Sequence, residues 1–201
     1  MKDYKKMWDE RYSQNDLVYG EKPNTYFQKI IDKLNPGKIL MPGDGEARNS
    51  LYAAKNGWEV TSVDFSSVAI EKAKHYAEHE KVSIEFINED LSKYNYPEEY
   101  YDAVGIIFFH LQSPEKEIIH ENIAKSIKTG GIIIAEVFSN NQLQHASGGP
   151  RNKNALYTLE EIAEYYKDFD HIELLEAQIE LKESKFHWGP ASVIRLFGKK
   201  K

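Results

Sequence analysis

KILMPGDGEARNSLYAAKNGWEVTSVDFS, the sequence of residues 38–66, contains the pattern that decides the fold. An apolar run at 38–42 predicts a short buried strand, and residues 46–56 have the apolar spacing of a helix. Residues 58–63 then alternate in the way that a strand does. A strand, a helix and a second strand in this order predict one βαβ unit of a parallel sheet.

The ends of this unit carry residues suited to a nucleoside. Gly43 and Gly45 follow the first strand, and glycine lets a ligand approach the backbone closely. Asp64 ends the second strand. A carboxylate about 20 residues beyond a glycine turn is a common means of binding a ribose diol in α/β folds. The pattern therefore predicts a nucleoside-containing cofactor, with a tight turn that binds no ligand as the alternative.

The spacing within the turn argues against a dinucleotide. A dinucleotide fingerprint requires G-x-G-x-x-G, whereas residues 43–49 have the sequence GDGEARN, in which Arg48 replaces the last glycine. An oxidoreductase with a nucleotide cofactor would also need a sixth parallel strand, and the sequence offers no pattern for one.

Composition excludes several other classes of protein. The 201 residues contain no cysteine, which rules out disulfides, thiol nucleophiles and cysteine-bound metals. A net charge of −6 gives no electrostatic footprint for nucleic acid. No apolar run is long enough for a membrane span, and the first residues do not resemble a signal peptide. We expect a soluble cytoplasmic protein, a monomer or homodimer, without nucleic-acid or membrane partners.

Helical and strand patterns continue to alternate after Asp64. Helices are predicted at 67–79 and 113–128, and strands at 82–87, 101–109 and 132–138. Ser66 or Ser67 is expected to cap the first of these helices, and Ser113 with Pro114 to begin the second. Strands separated by helices predict a parallel sheet with right-handed crossovers.

The end of the chain departs from this alternation. A polar loop at 140–154 precedes a helix at 159–167, where Thr158 and Glu161 have the spacing of a capping box. Two strand patterns then occupy residues 172–181 and 185–197. The short turn between them permits only antiparallel pairing, so we expect five parallel strands followed by an antiparallel hairpin.

This order of elements resembles the class I S-adenosylmethionine (SAM)-dependent methyltransferases across nearly the whole chain. The matching motifs are the glycine turn at 43–47, Asp64, Asp90, the apolar run at 101–109 and KTGG at 128–131. The resemblance implies a Rossmann-like α/β fold with a seven-stranded, mostly parallel sheet, a C-terminal antiparallel hairpin and helices on both faces. It also implies SAM as cofactor and S-adenosylhomocysteine as product.

Two residues depart from the family pattern in the first motif. Met41 stands where the family commonly has an acidic residue, and Ala47 replaces the last glycine. These departures leave open a second function class, a non-catalytic SAM-binding protein, beside the enzyme.

A narrower resemblance is carried by the N-terminal sequence MWDERYSQNDLVYGEKPN. It is similar to the start of small bacterial methyltransferases of the tellurite-resistance (TehB-like) and thiopurine S-methyltransferase groups, with the matching residues Trp8, Arg11, Tyr12, Tyr19, Gly20, Pro23 and Asn24. The resemblance implies a small-molecule acceptor, such as a thiol or a selenium or tellurium species. We expect a single domain over residues 1–201, with an N-terminal helical lid at 1–37 packed over the carboxyl edge of the sheet, a cofactor-binding core at 38–139 and a substrate-side region at 140–201.

The resemblance assigns cofactor contacts along the carboxyl edge of the sheet. The expected contacts are Tyr19, Gly43, Gly45, Asn49, Asp64, Phe65, Asp90, Leu91 and Phe108. Asp64 would accept hydrogen bonds from both ribose hydroxyls, because one carboxylate has several acceptor sites. A helix cap is the alternative role for Asp64, and a turn or cap is the alternative for Asp90.

Three titratable residues are candidates for proton transfer to or from the acceptor. His110 and Glu136 end predicted strands, and His187 lies in the last hairpin. A structural histidine or a salt-bridge partner is the alternative role at each position. No metal site is expected, because His75 and His79, which are spaced to share a helix face, lack acidic or cysteine partners nearby.

Overall fold

A computed structural model describes residues 2–14, 17–112 and 114–201. Seven strands form one sheet in the order β3-β2-β1-β4-β5-β7-β6. The strands are β1 (Lys38–Pro42), β2 (Glu59–Asp64), β3 (Ile84–Asn88), β4 (Tyr101–Ile107), β5 (Ile127–Phe138), β6 (Phe169–Ser184) and β7 (His187–Lys200).

The pairing of the strands confirms the predicted topology. The strands β1 to β5 pair in parallel, while β7 lies between β5 and β6 and is antiparallel to both. Parallel strands bring their carboxyl ends to one edge of the sheet. The glycine turn after β1, Asp64 at the end of β2 and Phe108 after β4 therefore meet at this edge.

Six α-helices flank the strands within the described parts of the chain. They are α1 (Lys2–Tyr12), α2 (Thr25–Ile31), α3 (Arg48–Lys55), α4 (Ser67–Glu80), α5 (Glu115–Ser126) and α6 (Leu159–Tyr165). Apolar side chains of α2 and α3 pack on one face of the sheet, and those of α5 and α6 pack on the other. None of the described helices has the length and apolarity needed to cross a membrane.

The N-terminal helices have two different positions. The lid prediction placed both over the carboxyl edge of the sheet. For α2 this is wrong, because Phe27 and Ile30 are buried against Ile39 and Ile134 on the sheet face. Helix α1 does lie at the edge, where Tyr12 packs with Val18 and with Ala69 of α4.

The KTGG sequence lies inside a strand rather than between a helix and a strand. Helix α5 ends at Ser126, and Ile127 already pairs with Tyr101 of β4. Residues 128–131 then bulge from the ladder, which resumes where Ala103 pairs with Ile132. Ile127 is fully buried in the sheet, and burial of an apolar side chain of this size contributes about 1.5–3 kcal/mol.

Several helix boundaries follow from the capping residues. The hydroxyl of Ser66 accepts a hydrogen bond from the backbone of Ala69, which confirms the expected cap of α4. Thr158 and Glu161 form the predicted capping box at α6. Pro114 immediately precedes α5, while Ser113 is outside the described residues. Helix α3 begins at Arg48, two residues later than predicted, because Ala47 is left-handed with φ 64°.

The C-terminal hairpin is longer than the sequence indicated. Strands β6 and β7 have 16 and 14 residues. Strand β6 extends the predicted run by three residues at each end, whereas β7 begins two residues later and ends three residues later than predicted. The predicted loop at 140–154 contains two short 3₁₀ turns, Asn140–Gln144 and Lys153–Ala155. These turns lie beside the carboxyl edge, because Ser139 and Tyr157 form a bridge at the end of β5.

Candidate functional site

A cavity of about 1080 Å³ opens at the carboxyl edge of the sheet. It is lined by α1, the glycine turn, the ends of β2 to β5, the segment before the 3₁₀ turn Lys153–Ala155, and the start of β7. Single small ligands usually occupy roughly 300–1,000 Å³, so this space is sufficient for a cofactor together with a small second ligand.

Most residues expected at the site line this cavity. They are Tyr19, Gly43, Asn49, Asp64, Phe65, Asp90, Leu91, Phe108, His110 and His187. Gly45 and Glu136 are not among the lining residues.

The glycine turn and Asp64 are hydrogen-bonded to each other. The backbone N–H of Gly45 donates to Oδ2 of Asp64 at 2.9 Å, and that of Ser66 donates to Oδ1 at 2.8 Å. Gly43 and Gly45 have φ of 64° and 57°, a conformation that glycine adopts without strain. Gly45 thus supports the site by orienting a carboxylate, behind the cavity wall.

Asp64 retains the capacity to bind a diol. A carboxylate has about four acceptor sites, and two backbone donors leave sites free on both oxygens. Burial raises the pKa of Asp64 to about 6, although the bonds from Ser66 and Gly45 oppose that increase. The carboxylate is therefore largely ionised at neutral pH and is a good acceptor for hydroxyl donors.

The other expected cofactor contacts differ in their burial and in their hydrogen-bond partners. Asp90 accepts bonds from the backbone and hydroxyl of Ser92, which is the turn arrangement weighed as its alternative role. Leu91 is buried, and Phe65 is half-buried at the cavity. The side-chain oxygen of Asn49 accepts a bond from the backbone of Asn24, which attaches the N-terminal segment to α3.

Another residue that lines the cavity, His187, is paired with a buried glutamate. Nδ1 of His187 lies 3.1 Å from Oε2 of Glu183. Burial lowers the pKa of His187, with partial compensation from Glu183, so the imidazole is neutral at pH 7. For Glu183, burial alone would raise the pKa, but His187 and Arg48 outweigh it and hold the pKa below its usual value. An ionised Glu183 accepts the Nδ1–H, which leaves Nε2 of His187 as a proton acceptor.

Glu183 connects three separate segments of the chain. Its Oε2 accepts a 2.8 Å bond from the guanidinium of Arg48 at the start of α3, and its Oε1 accepts a 3.2 Å bond from Asn24. Arg48 also donates to the backbone carbonyl of Lys22. The side chains of Arg48 and Glu183 are only 8% and 10% exposed, so solvent does little to screen this pair.

Aromatic rings surround His187. The centroid of Phe108 lies 4.6 Å from that of His187, and the centroid of Tyr19 lies 4.7 Å away. Phe138 stacks on Phe108 at 4.6 Å. Phe108 has φ 50°, an uncommon conformation for a bulky residue, and its N–H bonds to the carbonyl of Glu136. The backbone is thus fixed in a geometry that places this ring on the cavity wall.

His110 has the surroundings of a structural histidine. Its Nδ1 lies 2.9 Å from the carbonyl oxygen of Ala155, and its Nε2 accepts a 3.4 Å bond from the N–H of Phe138. Burial lowers the pKa of His110 to about 3, so it stays neutral. With both ring nitrogens engaged, His110 has less capacity for proton transfer than His187.

Glu136 was expected to face the mouth of the site, and the structure contradicts that expectation. Its carboxylate is 1% exposed, accepts a 2.6 Å bond from Arg195 and a 2.7 Å bond from Asn24, and lies outside the cavity. Alternation along β5 turns the side chain toward the face covered by α2. Glu136 is therefore the salt-bridge partner of Arg195, and we do not include it among the catalytic candidates.

The chain resembles known methyltransferases in sequence. Residues 39–131 match a family described as a methyltransferase domain. The probable SAM-dependent methyltransferase TehB of Haemophilus influenzae is 28% identical over 180 residues, which are 86% of this chain and 62% of that protein. Sterol 24-C-methyltransferase ERG6A of Gibberella zeae is 28% identical over 67% of this chain and 38% of its own length. The chain thus spans about three fifths, or less, of the length of these relatives.

Solved structures share the fold. The crystal structure of TehB from Haemophilus influenzae has a TM-score of 0.73 at 22% identity and covers 98% of this chain and 67% of that one. A structure described under the conversion of a disulfide bond into a thioacetal group during echinomycin biosynthesis has a TM-score of 0.78 at 13% identity, covering 100% and 91%. These likenesses establish a Rossmann-like class I methyltransferase fold with a C-terminal antiparallel hairpin.

Proposed function

We propose that this chain, which contains a class I SAM-dependent methyltransferase domain, transfers a methyl group to a small-molecule thiol or reduced selenium or tellurium species. The observation that carries this proposal is that one cavity is lined both by the glycine turn with Asp64 and by His187, whose partner is Glu183. The N-terminal segment at 1–37, through α1, would cover the bound ligands.

The glycine-turn end of the cavity fits an adenosyl cofactor. Asp64 has free acceptor sites for ribose hydroxyls, and a buried oxygen of Asp44 lacks a hydrogen-bond donor among the described residues. Tyr19 and Phe108 present ring surfaces, which attract cationic methyl groups. SAM supplies a methyl group on a positively charged sulfur that is already activated for in-line displacement.

The His187 end supplies a proton acceptor for the methyl-accepting atom. The neutral imidazole donates Nδ1–H to Glu183, and Nε2 accepts the proton of an incoming thiol. Removing that proton leaves an electron pair on sulfur for the new bond to carbon. The aromatic rings exclude water from this position, so the residues act mainly by orientation and desolvation.

The charges around His187 favour a soft acceptor over an inorganic oxyanion. Arg48 is paired with Glu183, and Arg11 donates to the hydroxyl of Tyr19 and lies over the ring of Trp8. Both guanidinium groups therefore have partners already. Aromatic surfaces instead make favourable contacts with polarisable sulfur.

A matched pair of thiols tests the base. The purified protein would be assayed for S-adenosylhomocysteine release with an aliphatic thiol, which is mostly protonated at pH 7, and with an acidic aromatic thiol, which is mostly ionised. We expect His187→Ala to lower turnover of the aliphatic thiol roughly 100-fold or more and that of the aromatic thiol much less. Equal losses with both thiols, or a larger loss of SAM affinity than of turnover, would contradict the role of His187.

The pH profile tests the glutamate. Because Glu183 raises the pKa of His187, we expect Glu183→Gln to move the acid limb of kcat/KM to lower pH and to reduce the plateau. Glu180→Gln on the same strand is the control, since Glu180 is exposed. Reduced selenium and tellurium species, together with selenite, tellurite, amines and phenols, complete the acceptor panel. SAM binding without turnover on any of them would indicate a binding protein instead of an enzyme.

A further inference from the structure

Arg48 connects the glycine turn to the partner of His187. It is the first residue of α3, directly after the left-handed Ala47 that ends the turn. Its guanidinium reaches the final hairpin, where Nη2 donates to Oε2 of Glu183 at 2.8 Å. The same oxygen lies 3.1 Å from Nδ1 of His187. One carboxylate oxygen therefore accepts hydrogen bonds from an arginine beside the glycine turn and from the imidazole of His187.

The charges buried around Glu183 balance only when Arg48 is included. Nδ2 of Asn24 donates to two carboxylates, that of Glu136 at 2.7 Å and that of Glu183 at 3.2 Å. Glu136 is paired with Arg195, and Glu183 is paired with Arg48. All four charged side chains are largely buried. Loss of Arg48 would leave one excess negative charge, which proteins usually neutralise by binding a proton.

The position of that proton decides what His187 can do. In the structure, an ionised Glu183 accepts the Nδ1–H, and no hydrogen bond to Nε2 is made by the part of the chain that the structure describes. A proton bound by the pair gives either an imidazolium beside a carboxylate, or a carboxylic acid that donates to Nδ1 of an Nε2–H imidazole. In both products Nε2 carries a hydrogen, so it cannot accept the proton of a thiol.

We propose that Arg48 is a positioning residue, which keeps Nε2 of His187 unprotonated through its ion pair with Glu183. The inference rests on the proposed function, because an unprotonated Nε2 serves methyl transfer only if His187 is the proton acceptor. Arg48 acts through Glu183, and the methyl acceptor needs no contact with it. An arginine suits this role because its guanidinium stays charged when buried and has further donors, one of which bonds to the carbonyl of Lys22.

The electrostatic effects on the two titratable groups agree with this role. Burial alone would raise the pKa of Glu183, and the bonds from His187 and Arg48 hold the pKa below its usual value. Burial lowers the pKa of His187, Glu183 opposes that decrease, and the charges of Arg48 and Arg11 add to it. Removal of Arg48 therefore raises the pKa of both groups, so the pair binds a proton at a higher pH.

The ring nitrogens of His187 report this proton directly. Long-range proton–nitrogen correlation spectra of the isotope-labelled protein at pH 7 distinguish protonated from unprotonated ring nitrogens, and the spectrum of His187→Ala assigns the signals. We expect the wild-type protein to have Nδ1 protonated and Nε2 unprotonated. Arg48→Gln, which removes the charge but keeps hydrogen-bond donors, should have Nε2 protonated. Arg48→Lys, which keeps the charge, should resemble the wild type. An excluded osmolyte, trimethylamine N-oxide, keeps the variants folded if the lost ion pair weakens the fold.

A double variant separates the effect of charge from that of packing. Arg48→Gln combined with Glu183→Gln removes both charges, and the new amide oxygen at position 183 can still accept the Nδ1–H. We expect Nε2 to be unprotonated again. If Nε2 stays protonated in the double variant, the cause is a moved cavity wall and the inference is overturned. An unprotonated Nε2 in Arg48→Gln, or a protonated Nε2 in the wild-type protein, would also overturn it.

Turnover distinguishes this inference from the proposed function. Arg48→Gln should lower S-adenosylhomocysteine release with the aliphatic thiol roughly 100-fold or more and with the acidic aromatic thiol much less, and Arg48→Lys should recover much of the loss. Equal losses with both thiols would overturn the positioning role. If the wild-type protein has the expected ring-nitrogen signals but methylates none of the acceptors, the proposed function fails, while Arg48 remains the group that sets the proton on Nε2.

Discussion

Two glycines with similar backbone angles differ in what surrounds them. Gly43 has φ 64° and Gly130 has φ 78°, so an alanine at either position is strained. A Cβ on Gly43 would collide with the buried ring of Phe109, whereas a Cβ on Gly130 would meet only the flexible end of Lys199 at 3.8 Å. The close approach at Gly43, and not the turn conformation alone, requires glycine there.

This difference is measurable as stability. We expect Gly130→Ala to lower the free energy of unfolding by about 1–2 kcal/mol through backbone strain. Gly43→Ala should lose about 2–5 kcal/mol, because overpacking against Phe109 adds to that strain. Guanidinium denaturation of both variants gives the comparison. Equal losses would show that the Phe109 ring moves aside without cost.

At the residue scale, the sequence predicted the parts of the site that depend on local spacing. Asp64 and Gly43 could be predicted to lie together at the cavity, because a strand, a turn and a helix fix their distance in the chain. Glu183 and Arg48 were not found, since their bond joins residues 135 positions apart, and Asn24 reaches Glu183 across 159. Only tertiary packing brings these residues together, and a single sequence has no signal for it.

At the scale of secondary-structure elements, Lys72 connects α4, α1 and the glycine turn beside the cavity. Nζ of Lys72 on α4 donates to the carbonyl of Tyr12 at the end of α1, to that of Gln14, and to Glu46 beside the glycine turn. The Glu46 side chain is 5% exposed and that of Lys72 is 20% exposed. The ion pair therefore holds α1 against the loop that lines the cavity.

Removing this lysine should loosen α1. Without Lys72, the charge of Glu46 remains buried, and among the described residues the N–H of Val18 is its remaining hydrogen-bond donor. We expect Lys72→Met to cost roughly 2–3 kcal/mol, less than the about 3–5 kcal/mol of fully buried pairs because Lys72 is partly exposed. Hydrogen exchange should show faster exchange in α1.

The neighbouring Lys74 provides the matched control. It lies on the same helix and pairs with Glu71 in an exposed ion pair, which contributes little. Lys74→Met should leave both stability and exchange in α1 nearly unchanged. Similar losses in the two variants would mean that any charge change on α4 has this effect, and that the contacts of Lys72 are not specific.

The sequence predicted whether each element is a helix or a strand. The errors concern where one element ends and the next begins, and which surface a helix covers. The apolar and polar periods identified all seven strands. The predicted boundary between α5 and β5 was wrong because Ile127 fits both the helical and the strand period. In the structure Ile127 is buried and pairs with Tyr101 of β4, so it belongs to the strand. The predicted position of α2 was wrong, because the apolar face of a helix does not indicate which surface of the sheet the helix covers.

At the scale of the whole molecule, the cavity is built from parts of the chain that are far apart in sequence. The N-terminal segment, the glycine turn and the final hairpin meet at Glu183 through Asn24, Arg48 and His187. A ligand that fills this cavity contacts all three segments at once. It therefore opposes unfolding of the whole fold and not of one wall alone.

Thermal denaturation measures this coupling. A ligand present at 100 times its Kd and bound only by the folded state adds about 2.7 kcal/mol to stability. For a domain of this size, about 2–4 °C of Tm corresponds to each kcal/mol, so SAM and S-adenosylhomocysteine should raise Tm by roughly 5–11 °C. NAD should cause no shift, because the turn lacks the third glycine of a dinucleotide site. A shift with NAD but none with SAM would reject the cofactor assignment, whereas a biphasic melt with SAM, in which one transition stays at the ligand-free Tm, would show that the three walls do not unfold as one unit.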